Sequence, residues 1–355
     1  MQEIERMKRY IPFIGMIVFI AAVLWAGVYI QQERQQQLAA REMYEKERHL
    51  VVYSDMPGQV NQDLAAAFYK DTGLRAYIMT MTEDELQRAI RNPKENQLPD
   101  AVIASEDTLY AGRLQGAFIP YTSYVTDEVP HELKDAAGAW IGLWYDPLVF
   151  VINRDYYNMG GSNINTWSDL LTDANMVISF PDLAATDIAG SFLCEYVELH
   201  GQERAELYFR SLQTRIGAYS KTMAPVMHRV AGGEAQAGVV DAVTARQYRF
   251  DGAPVFVVYP QDGTAYWLIG AAATRWCSDE EETGKFIDWL LSLEAADVLR
   301  KNRMQFNFAN SAIAVQADSK QQGPVFFKTV KHYNDKDRRA MQDWWIRTIR
   351  FGRDG

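Results

Sequence analysis

The chain has 355 residues, of which 48% are hydrophobic and 23% charged, and its formal net charge is -10. This composition and length are sufficient for two compact lobes, and they exclude a chain that is disordered throughout. The negative charge argues against nucleic-acid binding, because phosphate backbones attract clustered Lys and Arg. The one such cluster, Lys336–Arg339, is interrupted by an Asp.

An apolar segment at residues 11–30 is the first predicted element. It carries no charge, and a helix of this length, rising ~1.5 Å per residue, would cross a hydrocarbon core about 30 Å thick. The segment is longer than the apolar part of a signal peptide and lacks a clean cleavage pattern, which predicts an uncleaved signal anchor. Basic residues before it favour a cytoplasmic tail at residues 1–10 and a single-pass inner-membrane protein whose body is periplasmic. Residues 31–48 are predicted to form a helical spacer.

Short apolar runs alternate with helical patterns along the rest of the chain. The candidate strands are Leu50–Tyr53, Tyr77–Met79, Ala101–Ala104, Leu148–Ile152, Val177–Phe180, Gly238–Val240, Val255–Tyr259 and Leu268–Ala273. This alternation predicts an α/β fold with mainly parallel sheets whose faces are covered by helices.

Small polar or acidic residues follow several of these strands, just before a helical pattern begins. The clearest cases are Ser54 with Asp55, Ser105 with Glu106, and the turn from Asp182 to Thr186. In parallel sheets, ligands bind beyond the carboxyl ends of the strands, where helix N-termini point unpaired N–H groups outward. Helix capping explains any single turn of this kind equally well, but three similar turns together predict a shared ligand cleft.

The sequence lacks the motifs of metal and cofactor chemistry. None of its five histidines stands in a zinc-binding pattern, and no nucleophile elbow, phosphate loop or dinucleotide fingerprint is present. We therefore expect no metal, no cofactor and no enzymatic activity. Cys194 and Cys277 lie far apart without metal-ligand spacing, and the sequence leaves open whether they are two free thiols or one disulfide.

Seven segments of the body, from about His49 to Ser311, resemble in order the extracytoplasmic solute-binding proteins of ABC importers. The resemblance is to the group that includes ferric-ion, phosphorylated-sugar and aminophosphonate binders. The segments are VVYSDMPGQVNQDLAAAFYKDTGL, LPDAVIASE, WIGLWYDPLVFVINRD, NTWSDLLTDANMVISFPDLAATD, VAGGEAQAGVV, GAPVFVVYPQDGTAYWLIGAAA and FIDWLLSLEAADVL. The resemblance implies the type II periplasmic-binding fold, in which two α/β lobes close on a ligand about a hinge of two crossing segments.

The resemblance also implies the domain organisation. Residues 49–148 and 263–311 would form lobe 1, and residues 149–262 would form lobe 2. The crossing segments would lie near Tyr145–Asn153 and Val258–Thr264. We predict that residues 312–355 form a helical C-terminal segment. Because they lie beyond the resemblance, they are not assigned to a lobe. The protein is expected to be a monomer.

Ten ligand-binding residues follow from matching positions one at a time, or from their place at the predicted hinge. They are Ser54, Asp55, Ser105, Glu106, Tyr145, Thr186, Lys221, Thr222, Asp241 and Tyr266. Some of them have structural alternatives: Lys221 as a surface charge, Asp241 as a helix cap, and Tyr145 and Tyr266 as packing at the hinge.

The matched positions also constrain the ligand. The iron binders carry two adjacent tyrosines where this chain has Val243 and Thr244, and ferric iron prefers anionic oxygen ligands, so an iron role is disfavoured. Asp187 replaces a usual Gly in the anion-binding loop, which speaks against a strict phosphate site. The expected ligand is a small polar organic solute, anionic or zwitterionic.

Three functions are compatible with the sequence. The first is a membrane-anchored receptor that delivers its ligand to the permease subunits of an ABC importer. The second is a sensor that partners a membrane histidine kinase, which the anchor and spacer would suit. The third is a transferase or lyase on a similar scaffold, since a fold does not fix a function, although no nucleophile–base pair is visible.

Overall fold

The structure is a computed structural model that describes residues 25, 31, 49–94, 98–160, 163–313, 323–329 and 331–352. Apart from Trp25 and Gln31, the predicted tail, anchor and spacer lie outside the described residues, so they remain predictions. In the part of the chain that is described, no helix is long and apolar enough to span a bilayer. The chain divides into the units Met1–His49 and Leu50–Gly355.

Eleven strands are found within the described residues. They are β1 (Leu50–Ser54), β2 (Ala76–Thr80), β3 (Ala101–Ser105), β4 (Phe118–Ile119), β5 (Ile141–Asn153), β6 (Ile178–Pro181), β7 (Ile216–Ser220), β8 (Ala237–Asp241), β9 (Val255–Val258), β10 (Tyr266–Thr274) and β11 (Asn307–Phe308).

The α-helices alternate with the strands and cover the sheets. They are α1 (Gly58–Thr72), α2 (Glu83–Arg91), α3 (Glu106–Leu114), α4 (Tyr124–Asp127), α5 (Arg154–Asn158), α6 (Asp187–His200), α7 (Gln202–Gln213), α8 (Met223–Ala231), α9 (Ala242–Phe250), α10 (Glu280–Leu290), α11 (Leu293–Lys301) and α12 (Asp335–Trp345). Local chemistry fixes several of their starts. Thr82 and Glu85 form a capping box on α2, and Asp279 accepts from the N–H of Glu282 at the start of α10.

The strand order is β2-β1-β3-β10-β5-β8-β6-β7, with β4 on β10 and with β9 and β11 on β5. The outer strands are parallel, as predicted: β1 pairs in parallel with β2 and β3, and β6 with β7 and β8. The centre is not, because β10 is antiparallel to β3 and β5, and β5 is antiparallel to β8 and β9. The prediction of mainly parallel sheets is therefore wrong for the two central strands.

Strand β5 belongs to both halves of the molecule. Its first part, through Pro147, pairs with β10, whereas Leu148 onward pairs with β8 and β9. The hydrophobic core divides at the same place. One buried cluster includes Trp144 and Tyr145, and the other begins at Leu148. We call the halves lobe 1, with β1 to β4 and β10, and lobe 2, with β6 to β9.

The C-terminal segment packs on lobe 2. Trp345, at the end of α12, is 1% exposed, and Ile349 in the π-helical turn Ile346–Arg350 is also buried in the lobe 2 cluster. The Trp345 ring lies edge-on to Tyr219 with 5.5 Å between ring centroids. The two cysteines are free thiols: Cys194 is buried in α6 of lobe 2, and Cys277 is half-buried after β10 of lobe 1.

The burial of Trp345 predicts the effect of removing its side chain. Trp345→Ala should lower the free energy of unfolding by about 3–5 kcal/mol, because a large ring is lost from a packed core. Phe351→Ala is the matched control, because Phe351 is 71% exposed, and it should change stability by less than about 0.5 kcal/mol. Denaturant unfolding followed by circular dichroism measures both values. Equal losses in the two variants would contradict the docking of this segment on lobe 2.

Candidate functional site

A cavity of about 440 Å³ lies between the two lobes and is bordered by the C-terminal segment. Its lobe 1 wall includes Glu106, Tyr110, Glu132, Lys134, Trp140 and Tyr266, and its lobe 2 wall includes Ser191 and Glu195. Phe327, Lys328, Lys331, His332, Tyr333 and Arg338 of the C-terminal segment also line it. Because both lobes and the C-terminal segment contribute side chains, a molecule in this space would contact all three.

Two half-buried carboxylates without partners face the cavity, one from each lobe, and a third, Glu132, is exposed at its wall. Glu106 begins α3 directly after strand β3, and Glu195 lies in the middle of α6. Among the described residues, neither side chain has a hydrogen-bond or ion-pair partner. Two facing carboxylates repel one another, so they either hold a proton or accept a cation.

The pKa values of both carboxyls reflect this arrangement. Burial raises the pKa of Glu106 to about 7; the positive charges of His332 and Arg338 oppose this shift, and the negative charge of Asp107 adds to it. Burial also raises the pKa of Glu195 well above its usual range, and the negative charges of Glu106 and Glu198 raise it further. A positively charged group between these two carboxyls would therefore stabilise their charged forms.

Positive charges also line the cavity and retain free donors. Lys134 donates one hydrogen bond to the carbonyl oxygen of Thr126 at 2.8 Å. Lys331 lies 3.3 Å from the carboxylate of Asp337 and 4.8 Å from the ring centroid of Tyr333. An ammonium group has three donors, so each lysine can still bind an anionic or hydroxylated group.

Tyr266 provides an aromatic wall with a fixed orientation. Its hydroxyl donates to the carbonyl oxygen of Glu132 at 2.7 Å, and its ring lies 4.6 Å from Phe326. Burial, and then the charges of Glu106 and Glu195, raise its pKa well above 10, so the phenol stays neutral. A neutral ring beside two carboxylates suits a cationic group, which both the ring face and the carboxylates attract.

A second cavity of about 260 Å³ adjoins this one. Glu83 of lobe 1, the loop from Ala184 to Asp187 in lobe 2, and Arg339 and Gln342 of α12 line it. Thr186 caps α6 there by accepting from the N–H of Ala189 at 3.4 Å. Asp107 and Arg338 line both cavities, so their contact separates the two spaces.

Only three of the ten predicted residues line these cavities: Glu106 and Tyr266 the larger one, and Thr186 the smaller. Tyr145 is buried and packs edge-on against Phe326 at 5.2 Å. Lys221 and Thr222 are exposed after strand β7 and line neither cavity.

The other four predicted residues make internal hydrogen bonds. Ser54 donates to the side-chain oxygen of Asn61 at 3.0 Å and is fully buried. Asp55 accepts from the N–H of Ser105 at 3.1 Å, and burial raises its pKa to about 6. The Ser105 hydroxyl donates to Glu83 at 3.2 Å, and Asp241 caps α9 by accepting from the N–H of Thr244 at 2.7 Å.

The sequence did not predict that Glu195 or residues of the C-terminal segment line the cavity. Glu195 had a detectable signal, because it stands next to Cys194 and Tyr196 in an otherwise apolar stretch of α6, where a lone carboxylate is unusual. His332 and Arg338 had none, since they lie outside the part of the chain that resembled a family. Among the described residues, no group of three or more His, Cys, Asp or Glu could hold a metal ion.

The raised pKa of Glu106 predicts a pH-dependent stability. The folded protein holds this proton more tightly than the unfolded chain, so stability falls as the pH rises from about 4.5 through about 7. Glu106→Gln cannot ionise and should be more stable than the wild type by about 1–3 kcal/mol at pH 8, with a much smaller difference at pH 4. Thermal unfolding between pH 4 and pH 8 measures this difference.

The control for this prediction is Glu203→Gln, which changes an exposed carboxylate on α7. Its stability relative to the wild type should not vary in the same way. A difference for Glu106→Gln that stayed constant with pH, or that grew toward acid, would contradict the placement of this carboxyl.

Comparisons with known proteins agree on one family. Residues 50–305 match the family model described as bacterial extracellular solute-binding protein. An uncharacterized protein of Haemophilus influenzae is 23% identical over 250 residues, which are 67% of this chain and 72% of that one.

Solved structures share the fold. The periplasmic binding protein AfuA from Actinobacillus pleuropneumoniae, solved with fructose-6-phosphate bound, is 20% identical with a TM-score of 0.55, over 86% of this chain and 99% of that chain. A Bordetella ferric binding protein is 16% identical with a TM-score of 0.66, over 85% and 97%. At these identities the likeness establishes the two-lobed architecture and not the ligand. Since the family model matches most of the chain, this protein belongs to the bacterial extracellular solute-binding proteins, with the type II periplasmic-binding fold.

Proposed function

We propose that this protein is an extracytoplasmic receptor that captures a small zwitterionic organic solute between its lobes and delivers it to an ABC importer. Its relatives are binding proteins rather than enzymes. The observation that carries the proposal is the pair of unpartnered carboxylates, Glu106 and Glu195, which face one cavity from different lobes.

The charge pattern of the cavity favours a zwitterion over a simple anion. An ammonium group between Glu106 and Glu195 would relieve their repulsion, whereas an anion in the same place would add to it. Lys134 and Lys331 can receive the anionic end of the solute, since each retains free donors. A solute with both charges would therefore satisfy groups that are otherwise unmatched.

Capture by lobe closure follows from where these groups lie. A solute that contacts Glu106 of lobe 1 and Glu195 of lobe 2 binds the closed form better than the open form, and it shifts the population accordingly. Lobe 1 would comprise residues 49–148 and 263–311, and lobe 2 residues 149–262, which the separate hydrophobic clusters support. The predicted anchor at residues 11–30 would keep the receptor at the membrane beside its permease.

Ferric iron, named in the description of the Bordetella relative, is not the ligand that we propose. The N–H of Val243 donates to Asp146 at 3.0 Å, and Thr244 donates to Asp241, so this turn supplies structural hydrogen bonds and no phenolates. Sensing through a histidine kinase gains no support from the relatives described above.

A thermal-shift screen of the full-length chain tests the proposal. The panel should contain amino acids, amino sugars, polyamines, phosphorylated sugars, phosphonates and ferric citrate. A true ligand at ~100 times its dissociation constant adds about 2.7 kcal/mol of stability, which is easily measured. We expect stabilisation by a compound that carries both an ammonium and an anionic group. Stabilisation by phosphorylated sugars or ferric citrate alone would contradict the assigned ligand class.

The carboxylate pair is tested directly by Glu195→Gln. Loss of one charge from the pair that holds the ammonium should weaken binding of the identified solute at least about 30-fold. Glu203→Gln removes an exposed carboxylate from lobe 2 and should leave affinity unchanged. Calorimetric titration measures both, and equal affinities for the two variants would place the solute elsewhere.

A further inference from the structure

The described C-terminal residues, 323–329 and 331–352, form what we call the strap. Beyond the contacts of Trp345 and Ile349, the strap is hydrogen-bonded to lobe 2 at two points. The hydroxyl of Tyr333 donates to Glu198 at 2.8 Å, and the side-chain amide of Gln342 donates to the carbonyl oxygen of Leu183 at 3.1 Å. The strap begins near the hinge, where Phe326 pairs with Thr264. From Tyr333 onward it is therefore attached to lobe 2.

One residue of lobe 1 holds the strap across the cleft. Asp107, the second residue of α3, accepts a forked pair of hydrogen bonds from the guanidinium of Arg338, one of them at 3.1 Å. It also lies 3.0 Å from Nε2 of His332, whose ring stacks on Tyr110 at 4.0 Å. Two basic side chains of the strap thus meet a single carboxylate of the opposite lobe.

These groups are held more firmly than a surface ion pair. Arg338 is 6% exposed, and it also donates to Asp335 and to the carbonyl oxygen of Tyr333. Burial acts to raise the pKa of Asp107, but hydrogen bonds from His332 and Arg338 outweigh burial and lower it. Asp107 is therefore charged at neutral pH, and a forked arginine–carboxylate contact is among the stronger polar contacts in proteins.

The strap also lines the larger cavity, because Lys331, His332 and Tyr333 form part of its wall. Since the strap is attached to lobe 2 and Asp107 belongs to lobe 1, the hinge cannot open widely without separating Asp107 from Arg338. We propose that Asp107 and Arg338 form a latch that stabilises the closed form relative to the open form, with or without a solute, and that must break before a solute enters. The latch acts without a ligand, so it goes beyond the binding function proposed above.

Access to the cavity can be measured without knowing the solute. Ser191 lines the cavity from lobe 2, so Ser191→Cys places a thiol behind the strap, in a background with Cys194→Ala and Cys277→Ser. A bulky polyethylene glycol maleimide should react with this half-buried thiol faster in the open form than in the closed form. The labelling rate of the full-length chain then reports the open population.

Breaking the latch should accelerate labelling. We expect Arg338→Ala and Asp107→Asn each to raise the labelling rate by about tenfold or more, which is a shift of at least ~1.4 kcal/mol in the opening equilibrium. The double variant should label no faster than the faster single variant, because both changes remove the same contact. Lys336→Ala is the matched control: it removes another charge on α12, which is exposed, lines neither cavity and has no ion pair among the described residues, and it should leave the rate unchanged.

One labelling control and one alternative variant make the result interpretable. A thiol introduced by Ser211→Cys, exposed on α7, should label at the same rate in every variant. If Arg338→Ala fails to fold, Asp107→Asn decides, because it leaves the strap intact on lobe 2. Unchanged labelling in Asp107→Asn, or equal acceleration by Lys336→Ala, would overturn the latch while leaving the proposed solute site untouched.

Discussion

Strand β5 is continuous but belongs to two sheets, and both lobes are built on it. All residues of β5 are buried, and the strand changes partner in its middle, from β10 to β8 and β9. Pro147 stands at the change. A proline has no N–H to donate to a ladder and is rarely found in a central strand, but here the ladder changes partner at that residue. The N–H of the next residue, Leu148, donates to the carbonyl oxygen of Ala265, which directly follows the second crossing segment.

This geometry accounts for the cleft. The chain passes from one core to the other in β5 and returns between β9 and β10, so the lobes can rotate while each core stays packed, and that rotation opens or closes the space between them. Helices α3 and α6 then bring Glu106 and Glu195 to opposite walls. The strap supplies much of the positive charge at the cleft. Arg338 pairs with Asp107, whereas Lys331 lines the cavity. Charged residues of the same region would therefore contribute both to binding the solute and to holding the lobes closed.

The sequence predicted the fold better than the site. Continuous apolar runs located most strands, because a strand that is buried on both faces of its sheet carries apolar residues at successive positions. Strand β7 was missed since its residues Ile216–Ser220 are mostly half-buried, and the first part of β5 was missed because Gly142 and Pro147 resemble a loop. Gly142 has a packing reason, as a Cβ there would lie 2.3 Å from the carbonyl oxygen of Leu133.

The site was less predictable because its residues come from elements distant in sequence. Turn chemistry correctly placed Glu106 at a strand end, but the same chemistry selected Ser54, whose side chain is fully used by a buried network with Asn61. No local pattern distinguishes a hydroxyl that caps from one that binds. The position of Glu195 at the cavity depends on α6 lying opposite α3 in the fold. The contact of Arg338 with Asp107 likewise depends on α12 packing on lobe 2.

A crystal structure of the protein with its solute bound would show whether the solute contacts both carboxylates. We expect an ammonium nitrogen within about 3 Å of the carboxylates of both Glu106 and Glu195, with the anionic end of the solute toward the lysines. A phosphate group or a metal ion between these carboxylates, or a solute bound beside Lys221 and Asp241 instead, would contradict it.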